Sequence, residues 1–461
     1  MAVSYPVERS VLSAAEIDAL NPRSTPCSDA LGDLRLRMQR NGQWNEGQTA
    51  GRRWPVACVS LEITQRCNLD CTLCYLSESS ESVRDVPLEE IFRRIDLIVA
   101  HYGPGTDVQV SGGEPTLRRR DELTAIVARL AQRGLRASLF TNGIKATRAL
   151  LAELAQAGLT DVAFHVDLTQ QRAGYVSEAE LNKLRMEYIE RARGLGLSVF
   201  FNTTVHAANV REVPMLAAFF ATQADVVRFA SFQLQADTGR GVLGTRPDAI
   251  SNDRIGALLC EGVATPLRFN TLLAGHHDCN RSAVVAVING RCYDAFDDEA
   301  FVRRFMRDTA TLRIDRGTAW RGAKSMLMGA LRRPALVLST LRWAAAFAWK
   351  ARGDLLRARG RVHKLTLFTH NFMDACHLDR ERLDACVFMA MTQHGPMSMC
   401  AYNARRDHFL LQPLRTSQGE WRPLAAVQAQ PIKFLKGRAR ETYLKSRQPA
   451  DQGQQAGPVE A

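Results

Sequence analysis

The sequence predicts an α/β fold: a partial (β/α)6 barrel of the TIM type with a cysteine-containing C-terminal extension. Two observations predict it. Between Val56 and Gln235 six apolar, β-rich runs alternate with runs of helical period, which calls for parallel strands joined by outer helices. Most of these runs end in a polar or glycine-bearing stretch, and in such folds ligands bind at the C-terminal strand ends.

The elements follow in order. Residues 1–54 are mixed in pattern, with a short helix expected over Ser10 to Leu20; Cys27 and Cys58 read as surface or core thiols. The first strand is Val56 to Ile63. A helix then opens with Pro87 and the Glu89-Glu90 pair and stops at Gly103-Pro104-Gly105. The second strand, Val108 to Val110, runs into Ser111-Gly112-Gly113-Glu114-Pro115, and Asp121 is expected to cap the next helix. The third strand, Arg136 to Phe140, leads to Thr141-Asn142-Gly143. After a helix carrying Leu150, Leu151 and Leu154 comes the fourth strand, Val162 to Val166. Ser177 and Glu180 have capping-box spacing. The fifth strand, Val199 to Val205, carries Asn202 and Thr203, and the sixth lies near Val226 to Leu234.

The chemistry concentrates in Cys67-Asn68-Leu69-Asp70-Cys71-Thr72-Leu73-Cys74, on the loop leaving the first strand. Three thiolates at this spacing can converge on one metal centre. On a cubane cluster they fill three iron corners and leave one iron open; a zinc knuckle or three buried thiols are the blander alternatives. Six further cysteines follow the predicted barrel: Cys260, Cys279, Cys292, Cys376, Cys386 and Cys400. Cys376, Cys386 and Cys400 fall within about 25 residues, and with Cys279 as a fourth they would complete a closed four-thiolate cluster; Cys260 and Cys292 compete for that place. Eleven cysteines without an export-type apolar run point to a reducing, cytoplasmic compartment and to metal ligation in place of disulfides.

At 461 residues, 46% hydrophobic and 23% charged, the chain has room for one large domain and an appendage, or two to three domains. Its net charge of +12 is local: residues 301–364 hold 16 Lys and Arg against three Asp, and the remainder is close to neutral. Within that segment an apolar run from Ala335 to Trp349 reads as a helix with a polar stripe of Ser339, Arg342, Ala346 and Lys350. It is too short to span a bilayer. Such a helix suits a membrane interface, here the inner face, or a lipid-like substrate; a buried packing helix with a solvated basic end competes evenly. Nucleic acid fits less well, because the aromatics are not interleaved with the cations. The boundaries expected are an N-terminal extension 1–54, a core barrel 55–241, a cysteine-bearing insertion or linker 242–300, a basic apolar segment 301–364, a second cysteine region 365–411 and a tail 412–461, disordered from Gln448.

The C-x3-C-x2-C spacing, the Gly-Gly-Glu-Pro loop and the alternating strands resemble the radical S-adenosylmethionine (SAM) family over about residues 56–241. The family's aromatic residue before the third cysteine is replaced by Leu73, and Tyr75 follows it instead. The resemblance implies a 4Fe–4S cluster on Cys67, Cys71 and Cys74 whose open iron chelates SAM. It implies reductive cleavage to a 5′-deoxyadenosyl radical that takes hydrogen from an unactivated carbon, and a reductant such as a flavodoxin or ferredoxin. Tyr75, the Ser111–Pro115 loop, Thr141, Asn142, Asn202 and Thr203 are the implied SAM contacts, with Glu114 and the glycines at the amino group. Thr238-Gly239-Arg240-Gly241 resembles a turn that follows the sixth strand in several members. Phe372-Met373-Asp374, Cys386 and Cys400-Ala401-Tyr402-Asn403 resemble, more distantly, the tetraether-lipid-synthase relatives, which implies a hydrophobic or lipid-like substrate and a second 4Fe–4S cluster on Cys279, Cys376, Cys386 and Cys400. The rubredoxin-like site of those relatives lacks its N-terminal cysteines here. A peptide-maturing enzyme and a non-catalytic iron–sulfur redox or scaffold protein are the alternatives.

Overall fold

The computed structural model describes residues 11–241, 250–312, 319–331 and 333–424. Its centre is one sheet of eleven strands. These are β1 (Cys58–Thr64), β2 (Asp107–Gly112), β3 (Arg136–Thr141), β4 (Leu159–His165), β5 (Ser198–Val205), β6 (Val227–Leu234), β7 (Asn280–Ile288), β8 (Arg291–Asp294), β9 (His363–Asn371), β10 (Phe388–Thr392) and β11 (Gly395–Ser398). The spatial order is β11-β10-β1-β2-β3-β4-β5-β6-β9-β7-β8. From β10 through β6 to β9, eight neighbouring strands run parallel. β7, β8 and β11 pair antiparallel at the two ends.

The six expected strands are all present, and the C-terminal region adds two more to the same parallel array. β10 covers the free edge of β1, with Cys58 opposite Phe388 and Ser60 opposite Ala390. β9 covers β6, with Phe229 opposite Thr366 and Leu234 opposite Asn371. Without them, both edges of the half-barrel would present unpaired peptide groups. β9 and β10 do not join each other through a backbone ladder among the described residues. Side-chain rings bridge them instead: Phe388 lies 5.6 Å from His370 and 5.7 Å from Phe372 between centroids.

Strand alternation sorts the side chains. Val59, Leu61, Ile63, Val110, Leu139 and Val162 join the buried core against the outer helices. The opposite faces line a lumen of about 380 Å³. One wall, from β2 to β4, is largely polar: Asp107, Gln109, Arg136, Ser138 and Asp161. The other is aromatic: Phe200, Phe229, Phe368, Phe372 and Phe388. Arg136 bridges Asp107 at 3.0 Å and Asp161 at 3.6 Å, so the charges on the polar wall are paired.

Two caps differ from expectation. Asp121 sits inside the helix Arg120–Gln132, with Arg119 at the cap, and pairs with that arginine. Ser177 caps its helix by accepting from the Glu180 N–H, but the Glu180 carboxylate turns to the Val176 N–H, so the box is half-formed. The apolar run near Ala335 is a helix, Pro334–Lys350. The tail beyond Gln448 lies outside the described residues.

Candidate active site

Cys67, Cys71 and Cys74 lie half-buried on the loop that leaves β1. Three strand ends hold that loop. Asn68 Oδ1 accepts from Asn142 Nδ2 at 2.7 Å, tying it to the loop after β3. The Thr72 N–H donates to the Thr169 carbonyl at 2.8 Å, tying it to the loop after β4. The Gly241 N–H donates to the Cys74 carbonyl at 2.9 Å, tying it to the turn after β6.

The Gly-Gly-Glu-Pro loop seats directly on the same chain. A Cβ on Gly112 would fall 2.0 Å from the Thr64 carbonyl oxygen, and one on Gly113 2.2 Å from that of Arg66. The glycines are therefore required first by the approach of the cysteine loop. Glu114 is fully buried and spent on structure. Its Oε1 accepts from the Thr116 N–H (3.0 Å), the Thr116 hydroxyl (2.6 Å) and the Thr141 hydroxyl (2.7 Å), while Oε2 accepts from the Asn142 N–H (2.7 Å). It locks the ends of β2 and β3 together. Ser111 shares a 2.6 Å hydrogen bond with Ser60, and Pro115 opens a single 3₁₀ turn. On β5, Asn202 lines the lumen and approaches Gln233 at 3.4 Å. Thr203, one residue on, faces the helical layer.

Burial pushes the Cys67 and Cys71 thiols up, and Cys74 raises both further; the Leu69 N–H lowers Cys67, and the Arg240 guanidinium pulls both down. Arg240 is buried. Burial works against its charge, but Cys74, with Asp70 and Glu81, outweighs that and raises its pKa. The cation thus faces the whole thiol set, and the turn motif identified from the sequence supplies it. A Cβ on Gly241 would lie 1.9 Å from the Cys74 nitrogen, which fixes the turn against the loop. Among the described residues, only His276, His277 and Asp278 bring three potential ligand atoms within 4.8 Å of one another. Three thiols on one loop with a facing cation fit a cubane with an open corner. The His276 cluster is internally engaged: His277 pairs with Asp278 at 3.1 Å and with Gln43 at 2.9 Å, and His276 Nδ1 accepts from the Asp278 N–H.

Tyr75 joins this site to the C-terminal region. Its hydroxyl donates to the Gly112 carbonyl at 2.6 Å. The Arg406 guanidinium lies 4.7 Å from its ring centroid and 4.6 Å from that of Tyr402. Arg406 also makes a buried 2.5 Å ion pair with Glu62 on β1, which accepts from Tyr402 at 3.1 Å. Burial opposes the Arg406 charge, and the Glu62 carboxylate outweighs it. This network was not foreseen from the sequence. Nor was the loop after β4, where fully buried Asp167 accepts from His165 (2.7 Å) and from the Thr204 N–H (2.7 Å).

The second cysteine set is partly assembled. Cys279, Cys386 and Cys400 lie within electrostatic reach of one another, and Arg382 donates to Cys279 Sγ at 3.2 Å. Burial lifts Cys279 to about 11 and lifts Cys400 further. Cys376 is exposed on the loop after β9. Cys260 and Cys292 pack against the main core, and Cys260 Sγ accepts from the Leu267 N–H at 3.3 Å.

His370, also unforeseen, faces the lumen. The Asn280 amide donates to the Ala274 carbonyl at 2.8 Å, which leaves Asn280 Oδ1 as the acceptor for His370 Nδ1. The proton therefore sits on Nδ1, and Nε2 carries the lone pair. Burial, then Arg382, lowers the His370 pKa to about 3, so the ring is neutral.

The profile of the Radical SAM superfamily matches residues 61–220, the stretch that contains the cysteine loop, the glycine loop and β1 to β5. Residues 61–220 are a radical SAM domain. The radical SAM core is 30% identical over 188 residues to the 7,8-dihydro-6-hydroxymethylpterin dimethyltransferase of Methanocaldococcus jannaschii, covering 40% of this chain and 37% of that protein. It is 32% identical over 162 residues to the PqqA peptide cyclase of Bradyrhizobium diazoefficiens, covering 34% and 41%. The chain thus matches about two fifths of the length of these curated relatives. Among solved structures, Streptococcus suis SuiB bound to precursor peptide SuiA overlaps 50% of this chain and 49% of its own, with 13% identity and a TM-score of 0.37. The superfamily uses a 4Fe–4S cluster with SAM.

Proposed function

We propose that this chain is a radical SAM enzyme that cleaves SAM reductively and takes hydrogen from an unactivated carbon held in the lumen. The observation that carries this reading is the cysteine loop, pinned to the C-terminal ends of the parallel strands with Arg240 beside its thiols. Bound there, a three-thiolate 4Fe–4S cluster with SAM supplies one electron to break a carbon–sulfur bond and so a 5′-deoxyadenosyl radical. The chain's own residues position and shield. Glu114 holds the glycine loop and Asn142 in register, Tyr75 buttresses the Gly112 carbonyl, and the phenylalanine wall keeps water from the carbon to be attacked. Cys279, Cys386 and Cys400, with Cys376 from the neighbouring loop, are the ligands we propose for a second cluster. A flavodoxin or ferredoxin is the proposed electron source, in the cytoplasm.

The aromatic wall supports a hydrophobic substrate, of which a lipid chain is one form. A second reading, peptide maturation, rests on the likeness to the PqqA peptide cyclases; an apolar side chain would then occupy the same wall. Anaerobic reconstitution tests the chemistry. We expect 5′-deoxyadenosine from SAM and dithionite, and loss of about four irons in the Cys67→Ala/Cys71→Ala/Cys74→Ala variant, with a second cluster retained. Iron without SAM cleavage would leave a redox or scaffold protein in its place. Transfer of deuterium into 5′-deoxyadenosine from deuterated lipid or from deuterated peptide separates the two substrate readings.

A further inference from the structure

The helix Pro334–Lys350 turns little of itself inward. Leu336 alone is fully buried, while Trp343 stacks on Phe301 at 5.3 Å and Phe347 meets Tyr293 at 6.0 Å. Its outward stripe is apolar. Leu338 is 58% exposed, Leu341 60% and Trp349 71%, and the spacing of three and eight residues keeps them on one face. The neighbouring helix Ala319–Leu331 adds Trp320, 77% exposed, and Leu327. Of thirteen large hydrophobic side chains exposed among the described residues, eight fall between Trp320 and Val362. An apolar patch so concentrated marks a contact surface.

Charge says what contacts it. Residues 301–364 carry a net +13 on a chain of +12. Arg342, Arg352, Arg359 and Arg361 are exposed within or just after the helix, and the Arg352 guanidinium lies 4.4 Å from the Trp349 ring centroid. A second copy of the chain would bring like charge against like. An acidic protein would match the cations but leave outward leucines and tryptophans unexplained. No helix among the described residues is long and apolar enough to cross a membrane. Tryptophan at the end of an exposed apolar stripe, flanked by arginines, is the arrangement of a helix lying in the headgroup layer.

We propose that the face made by Leu338, Leu341 and Trp349, framed by these arginines, docks the protein on an anionic lipid bilayer. The docking goes beyond the radical chemistry and does not depend on it. The test is co-sedimentation of the full chain with vesicles of phosphatidylcholine alone and of phosphatidylcholine mixed with phosphatidylglycerol. Binding to the mixed vesicles, weakened by salt, is expected, with tryptophan emission shifting to the blue. Leu341→Glu/Trp349→Glu should weaken binding by about tenfold or more, while circular dichroism and SAM cleavage stay as in the wild type. Arg359→Gln/Arg361→Gln, which leaves the apolar face intact, should lose only the salt-sensitive part. Equal binding to neutral vesicles, no binding to either, or binding indifferent to both variants overturns the proposal. So does a wild-type dimer in sedimentation velocity that the Leu341→Glu/Trp349→Glu variant abolishes while vesicle binding persists. Because SAM cleavage is measured on the same samples, a failure to dock is distinct from a failure of the enzymatic reading.

Discussion

At the scale of single residues, the site shows how chemistry and scaffolding share side chains. Glu114 was expected at the SAM amino group, yet both of its oxygens are committed to four protein donors. A buried carboxylate so engaged is a positioning group. The cysteine and glycine loops were legible because each is a run of adjacent residues whose spacing is its geometry. His370 was not, since a lone histidine in an apolar strand has no local signature; its meaning comes from Asn280, ninety positions away. Its pH behaviour can be predicted. The folded value is about 3, below the ordinary value of about 6.5. Between those values the unfolded chain binds a proton that the folded chain refuses, so stability falls as pH drops through that window and is retained above it. Each pH unit inside the window costs about 1.4 kcal/mol. His370→Gln keeps an N–H for Asn280 without titrating. Urea midpoints measured from pH 7 to pH 5 should slope less for this variant than for the wild type.

At the scale of elements, the barrel's first strand depends on the last part of the chain. β10 pairs with β1, and Arg406 reaches Glu62 across 344 positions of sequence. The six-unit alternation was readable because helices and strands have different periods. β9 and β10 were not, because a strand that completes an edge is selected by its neighbours. The Glu62–Arg406 pair sets a measurable dependence. Arg406→Met strands a buried carboxylate and should cost about 3–5 kcal/mol in urea denaturation. The double variant Glu62→Gln/Arg406→Met should recover a good part of that loss. A double variant no more stable than Arg406→Met alone would show that Arg406 acts through packing on Tyr75 and Tyr402.

At the scale of the whole molecule, the radical SAM core and the C-terminal region build one lumen with a polar wall and an aromatic wall. Sequence reasoning placed the ligand loops at the strand ends but gave no view of the lumen, since its lining alternates with core residues on every strand. Ala163 is a small residue on the lining of β4. Ala163→Phe would project a ring into the space without touching the cysteine loop. We expect SAM cleavage to persist while hydrogen transfer from substrate falls sharply, read as 5′-deoxyadenosine formed without deuterium from a labelled substrate. Equal loss of both would point to a distorted loop.

The ring contacts between β9 and β10 carry a consequence for the C-terminal strands. A wall knit by peptide hydrogen bonds opens only by breaking several of them together. Here the two strands touch through Phe388, His370 and Phe372, contacts worth about 0.5–1.5 kcal/mol apiece. Truncating these rings would therefore loosen β9 against β10 without breaking a single rung of the sheet, whose pairings lie on β6 and β7 for one strand and on β1 and β11 for the other.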